Sequence, residues 1–312
     1  MIFSSRANGK LLISAEYFVL DGATAFAIPT RLGQKIEVLE SKEFVGIKWK
    51  SYDFEGQSWF EQHFDIFDFS FSENSDLEHN KLSENLRKIF LSLEVLQPQF
   101  FKSFNSGLEI TTMLEFPRDW GLGSSSTLIA LIAEWARVDP YKLLSMTFGG
   151  SGYDIAAAKL NDPFIFRLFS GNTQVEAVFF DPIFKNQLYF VYLNQKQDSR
   201  EAMALYRSAP EEIRKNNVAR ISQITRQLLD KNISFFEFEK LLLKHEEIVK
   251  SVVNIPRAKE KYFSDFWGEI KSLGAWGGDF VLASSNLSEE KTIQYFTEKG
   301  FKTVIRYEDM AL

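Results

Sequence analysis

Pro117-Arg118-Asp119-Trp120-Gly121-Leu122-Gly123-Ser124-Ser125-Ser126-Thr127 lies between a strand-like run at 108–114 and an apolar helical run at 127–138. Glycine lets a backbone approach a ligand closely, and a helix start offers unpaired N–H groups and the positive end of the helix dipole. The stretch therefore suits a phosphate group. Serine hydroxyls add donors or a ligand for Mg²⁺. The same residues equally read as a serine N-cap after a glycine turn. The stretch is not a Walker P-loop: no G-x-x-x-x-G-K-[ST] occurs, and Gly9-Lys10 is followed by Leu11. No G-x-G-x-x-G opens a dinucleotide-binding unit either.

Working outward, strand character fills 10–20, 34–40, 45–52 and 58–64, punctuated by Asp21-Gly22 and Pro29. Helical spacing follows at 81–96, where Leu82, Leu86, Ile89, Phe90 and Leu93 share a face. Beyond the glycine–serine loop come a short helix at 140–148, a second glycine loop at 149–152 and strands around 164–180. From Leu188 the pattern changes to a strand at 188–193, helices near 210–231, 235–253 and 258–272, a strand at 280–284, a helix and a last strand at 301–307. The pattern predicts an α+β protein with an N-terminal domain over 1–185 and a C-terminal domain over 186–312.

With 312 residues, the chain is long enough for two cores. A hydrophobic share of 45% and a charged share of 25% are those of a globular protein, and the 31 Phe read as core filler. A net charge of -6 gives no footprint for nucleic acid or anionic lipid, so an anionic ligand needs a local basic pocket. Without cysteine there is no disulfide framework, thiolate nucleophile or zinc–sulfur site, which fits a cytoplasmic location. Arg6 and Lys10 before Leu11, Leu12 and Ile13 imitate a secretory leader, but Glu16 ends the run. No stretch approaches the ~18 apolar residues of a membrane span. The expectation is a soluble, uncleaved protein, a monomer or homodimer.

Three further stretches carry chemistry. Gly149-Gly150-Ser151-Gly152-Tyr153-Asp154 delivers a carboxylate just before small apolar residues, where it either accepts a proton from a substrate hydroxyl or caps a helix. Arg6-Ala7-Asn8-Gly9-Lys10 opens a strand with a lysine, a compact cation able to neutralise a transferring phosphoryl group. Gly274-Ala275-Trp276-Gly277-Gly278-Asp279 is a glycine loop leading into a strand, by itself an ordinary turn.

In order and spacing the four pieces together resemble the GHMP kinases (galactokinase, homoserine kinase, mevalonate kinase, phosphomevalonate kinase). The run from Asn8 through Lys10 to Glu16-Tyr17 looks like that family's first motif, and Gly121-Leu122-Gly123-Ser124-Ser125 like its second. Gly150-Ser151-Gly152-Tyr153-Asp154 and the loop ending in Asp279 look most like phosphomevalonate kinases. The resemblance covers nearly the whole chain. It implies an N-terminal domain like ribosomal protein S5 domain 2, with a left-handed β-α-β crossover, and a ferredoxin-like C-terminal domain.

It further implies ATP and Mg²⁺ as cofactors, with the ATP phosphates on Gly121, Leu122, Gly123, Ser124, Ser125 and Ser126, and Ser125 on the metal. Lys10 and Asp154 become the catalytic pair. Substrate contacts fall to Glu16, Ser151, Gly152, Gly277, Gly278 and Asp279, and, in the segment after strand 188–193, to Lys196, Ser199 and Arg200. The implied function is phosphorylation of a small anionic metabolite, phosphomevalonate or mevalonate. A sugar or homoserine kinase and a non-catalytic sensor on the same fold are the alternatives. Trp120 and Trp276 stand where the family carries small residues, and no acidic residue lies between Asp139 and Asp154, where mevalonate kinases supply a metal glutamate.

Overall fold

The computed structural model describes residues 1–104, 106–169, 172–195, 199–274, 276 and 279–312, without the side chains of 199–202. Its elements in chain order are β1 (Phe3–Ser14), β2 (Ala25–Ser41), β3 (Ile47–Tyr52), β4 (Ser58–Phe64), α1 (Leu77–Leu96), β5 (Gly107–Leu114), α2 (Ser124–Ala136), α3 (Pro140–Met146) and α4 (Tyr153–Lys159). There follow β6 (Phe164–Phe169), β7 (Asn172–Ala177), β8 (Leu188–Tyr192), α5 (Ser199–Ser208), α6 (Glu211–Leu228), α7 (Phe235–Val253) and α8 (Ala258–Tyr262). The chain ends with β9 (Ile270–Ser272), β10 (Phe280–Ser284), α9 (Glu289–Glu298), β11 (Val304–Arg306) and α10 (Tyr307–Met310).

Two compact units form. The first gathers Met1–Gly9, Leu32–Arg118 and Leu122–Lys159; the second gathers Lys10–Arg31, Asp119–Gly121 and Leu160–Leu312. In the first, β3 pairs antiparallel with β4 and parallel with β5, while β5 pairs antiparallel with the second half of β2, Gln34 opposite Leu114. A parallel neighbour needs a crossover, which α1 supplies between β4 and β5. Beneath these strands lies an aromatic core: Phe90 meets Phe64 at 5.3 Å between centroids, Phe69 meets Phe101 at 5.0 Å, and Phe100 meets Trp135 at 4.8 Å. Each such pair adds ~0.5–1.5 kcal/mol beyond its buried area, which is the use made of so many phenylalanines.

In the second unit the start of β2 pairs with β6, and β6 with β7. A separate four-stranded antiparallel sheet has the order β11-β8-β10-β9. Its strands, counted along the chain, run fourth, first, third, second, the ferredoxin-like order expected of the C-terminal region.

Side chains cap several helix starts, and the cap on α1 sets its first residue at Leu77, ahead of the helical spacing read over 81–96. Asp76 caps α1, Asp139 with Pro140 starts α3, Ser234 and Glu237 form a capping box on α7, and Ser288 caps α9. Other boundaries depart from the sequence pattern too, among them the start of β1, which is Phe3 rather than residue 10. The first strand ends at Ser14 rather than 20, because Ala15 (φ 71°) and Tyr17 (φ 63°) take left-handed backbone that no strand tolerates. The second strand begins at Ala25 and includes Pro29, between the residues paired with β6 and those paired with β5. The helix expected over 258–272 stops at Tyr262. Phe263, Phe266 and Ile270 imitate helical spacing, but all three pack in one core and β9 joins β10. Among the described residues no helix is long and apolar enough to cross a membrane.

Candidate functional site

The glycine–serine loop leaves β5 and enters α2 at Gly123, whose φ of 92° is left-handed. No side chain caps α2. The Gly123 carbonyl accepts from the N–H groups of Ser126 and Thr127 at 3.0 and 2.9 Å, and the Thr127 hydroxyl donates to Gln34 Oε1 at 2.6 Å. The helix start is thus fixed from below by Thr127, while Ser124 is half-buried and Ser125 exposed. Such a start presents first-turn N–H groups and the dipole's positive end to an anion.

Asp154 stands in the first turn of α4, half-buried. Ser126 Oγ, buried on α2, donates to its Oδ2 at 2.5 Å. The hydroxyl that meets the carboxylate is therefore Ser126, whereas Ser125 is the exposed neighbour. Sequence reasoning had both residues but not their partners; their being adjacent on a helix, hence about 100° apart, was the available signal. Ser151 is half-buried, and Gly152 is buried at φ 87° against the Tyr141 ring.

Leu122 is buried in the first unit, and the remaining expected residues that the structure describes belong to the second. Lys10 is half-buried at the start of its share of β1. At Gly121 (φ 65°) a Cβ would stand 2.2 Å from Asp279 Oδ2, so the aspartate carboxylate is seated against this glycine. Trp120 packs edge-on against Phe280 at 5.3 Å and beside Tyr192 at 6.1 Å, while the Tyr192 hydroxyl donates to Asp119 Oδ2 at 2.6 Å. The second indole, Trp276, is 1% exposed and donates from Nε1 to Glu246 Oε1 at 3.1 Å. Both indoles are thus held by protein partners. Gly121→Ala is expected to cost about 1–3 kcal/mol from strain and the displaced carboxylate. Gly149→Ala, at φ 69° but with open space around it, is expected to cost only about 1 kcal/mol. Thermal melts of the two variants check the difference.

Glu16, expected at the substrate, is 1% exposed, and its Oε1 accepts from Lys271 Nζ at 2.5 Å. Its partner is a buried residue of the same unit. Beside it His245 Nε2 accepts from the Ala15 N–H at 2.8 Å, and burial together with Lys271 holds this imidazole neutral, its pKa well below the usual value. Sequence reasoning missed Lys271, His245 and Glu246 entirely. Lys196, Gly277 and Gly278 lie outside the described residues, as do the side chains of Ser199 and Arg200. Among the described residues no group of three or more His, Cys, Asp or Glu is arranged to hold a metal.

Neither protein-family models nor curated protein sequences match the chain. Solved structures do. Phosphomevalonate kinase of Streptococcus pneumoniae, in complex with phosphomevalonate and AMPPNP, aligns over 97% of this chain and 99% of its own at 15% identity and a TM-score of 0.67. Galactokinase of Lactococcus lactis, complexed with galactose, aligns over 99% of this chain and 92% of its own at 13% identity and a TM-score of 0.67. The L. major mevalonate kinase, in complex with R-mevalonate, aligns over 97% and 94% at 15% identity, again with a TM-score of 0.67. The chain has the GHMP-kinase fold. At such identities the likeness is one of fold, and GHMP kinases with different acceptors match equally well. The GHMP-kinase fold accounts for the ferredoxin-like strand order and for an α+β chain aligned almost end to end.

Proposed function

We propose that this chain is an ATP-dependent phosphotransferase that transfers the γ-phosphoryl group to a small anionic metabolite, phosphomevalonate or mevalonate. The observation that carries the reading is the hydrogen bond from Ser126 to Asp154 beside the uncapped start of α2. It joins an anion-ready helix start to a carboxylate fixed in orientation. The residues present fit a nucleotide there: left-handed Gly123 lets phosphate oxygens approach the first-turn N–H groups, with Ser124 alongside.

They also fit Mg²⁺ carried with the nucleotide. That ion takes oxygen ligands, keeps several waters and usually draws on one or two carboxylates plus substrate phosphates, so Ser125 and Asp154 suffice without a protein cage. When bound, the ion offsets charge on the phosphates. Lys10 supplies fixed positive charge for the phosphoryl oxygens. Asp154 accepts the proton of an alcohol acceptor, or orients a phosphate acceptor, whose second pKa of about 6 leaves little proton to remove. The lean toward phosphomevalonate comes from the sequence around Ser151 and Asp279. Lys196, Ser199 and Arg200 are proposed to hold the anionic end of the acceptor. Glu16 takes a structural part, given its burial with Lys271.

The test is ADP release with Mg-ATP and phosphomevalonate, mevalonate, galactose or no acceptor. Turnover on a mevalonate compound is the expected result. Turnover on galactose alone would reassign the acceptor, and ATP binding without turnover on any acceptor would point to a sensor.

A further inference from the structure

The second unit encloses an ionic cluster assembled from three parts of the chain. Lys271 on β9 faces two carboxyls, Glu16 of the turn after β1 at 2.5 Å and Glu246 of α7 at 3.5 Å; all three residues are at most 1% exposed. His245 of α7 lies 3.3 Å from Glu16 Oε2. Tyr17, in the same turn as Glu16, feels both glutamates and Asp279, and burial together with these charges pushes its hydroxyl far above its usual pKa. Lys10 adds a weaker attraction on Glu16. Among the described residues Glu16 Oε2 and His245 Nδ1 have no hydrogen-bond partner.

With the imidazole neutral, one ammonium faces two carboxyls, so full ionisation of both leaves a net negative charge in the core. Buried excess charge is costly, and one carboxyl relieves it by keeping its proton. Burial raises both glutamates, with Glu246 pushed up to about 7. Glu246 is also the group tied to the glycine loop. Its Oε2 accepts from Ser272 Oγ at 2.9 Å and its Oε1 from Trp276 Nε1 at 3.1 Å. Three residues beyond Trp276 is Asp279, whose carboxylate rests between Gly121 and Gly274.

We infer that Glu246 is a positioning residue: through Trp276 it seats the loop that carries Asp279 against Gly121, and its ionisation strengthens that hold. A hydrogen bond to an ionised acceptor is shorter and roughly twice as strong as one to a neutral acceptor. Deprotonation of Glu246 therefore draws the indole in, and protonation weakens its hold on Trp276. The functional consequence rests on the reading of Gly121 as part of the nucleotide loop; the coupling between Glu246 and Trp276 does not.

The decisive measurement is the indole N–H resonance of Trp276 in ¹H–¹⁵N spectra of the full chain from about pH 6 to about pH 8, assigned by its loss in Trp276→Phe. The expected result is a downfield shift with rising pH, its midpoint near 7, that is absent in Glu246→Gln. A shift that persists unchanged in Glu246→Gln, or a resonance that does not move in wild type, overturns the inference.

ATP affinity is read in parallel. It is expected to rise several-fold more across this range in wild type than in Glu246→Gln, since the titration of ATP itself is common to both. Trp276→Phe keeps an aromatic ring while removing the N–H donor and part of the indole's volume, so it serves should Glu246→Gln fail to fold. An ATP profile identical to wild type in Trp276→Phe also counts against the inference. Absence of ATP binding at every pH would refute the nucleotide reading, while the indole titration would still decide the coupling.

Discussion

Asp154→Asn is expected to lower turnover by about 10²–10⁴-fold, the usual contribution of a positioned proton acceptor, while leaving the melting temperature within a degree or two. Asparagine keeps the shape of the side chain and can still accept from Ser126 Oγ, so the variant removes charge and basicity without opening a gap. Ser126→Ala makes the complementary change. It keeps the carboxylate but frees its orientation. A hydrogen bond to a charged group is worth roughly 1.5–3 kcal/mol, so a loss of about 10–100-fold is expected, mainly in kcat. Steady-state ADP release by both variants decides the matter, and near-normal turnover of Asp154→Asn would remove Asp154 from the chemistry.

Lys271→Met has the largest expected effect on stability. It strips the only close cation from Glu16 and Glu246 among the described residues, leaving carboxyls that burial already disfavours as anions. Breaking a buried pair from one side costs about 3–5 kcal/mol, which lowers the melting temperature by on the order of 10 °C. The loss depends on pH with a definite sign. Without Lys271 the carboxyls hold protons in the folded state that the unfolded chain has already released above its ordinary carboxylate pKa of ~4.3. Stability then falls as pH rises from that value through neutrality, because the folded state binds more protons. The double variant Lys271→Met/Glu16→Gln should recover most of the loss. Equal melting of Lys271→Met and wild type across pH would mean that the pair contributes nothing.

What the sequence disclosed and what it hid follow from how local each signal is. Capped helices such as α3 and α7 carry their start signal within four residues, and Gly121, Gly123 and Asp154 stand in short runs whose chemistry is readable in place. The parallel neighbours β3 and β5 are more than fifty residues apart, a separation that periodicity cannot see. The end of β1 depends on the left-handed Ala15 and Tyr17, ordinary residues forced there by tertiary contacts such as the bond from the Ala15 N–H to His245. The ionic cluster was hidden for a related reason. Polar residues in an amphipathic helix are read as its wet face, yet His245 and Glu246 are buried beside Leu241, Leu242 and Val249. Their spacing of four from Leu241 and Leu242 placed them on the apolar face and was the clue available. The bond between Ser126 and Asp154 needed two helices packed together, which no motif records.

The bond between Glu16 and Lys271 spans 255 positions of the chain. During synthesis at ~5–20 residues per second, Glu16 leaves the ribosome roughly 13–50 s before its cation does. Apart from Met1–Gly9, every residue of the first unit, which closes at Lys159, is made within that interval. Until Lys271 arrives, Glu16 is an ordinary hydrated carboxylate in the turn after β1. The ribosome therefore delivers most of the first unit before Lys271, and only once β9 has been made can the first motif of the chain be buried against its cation.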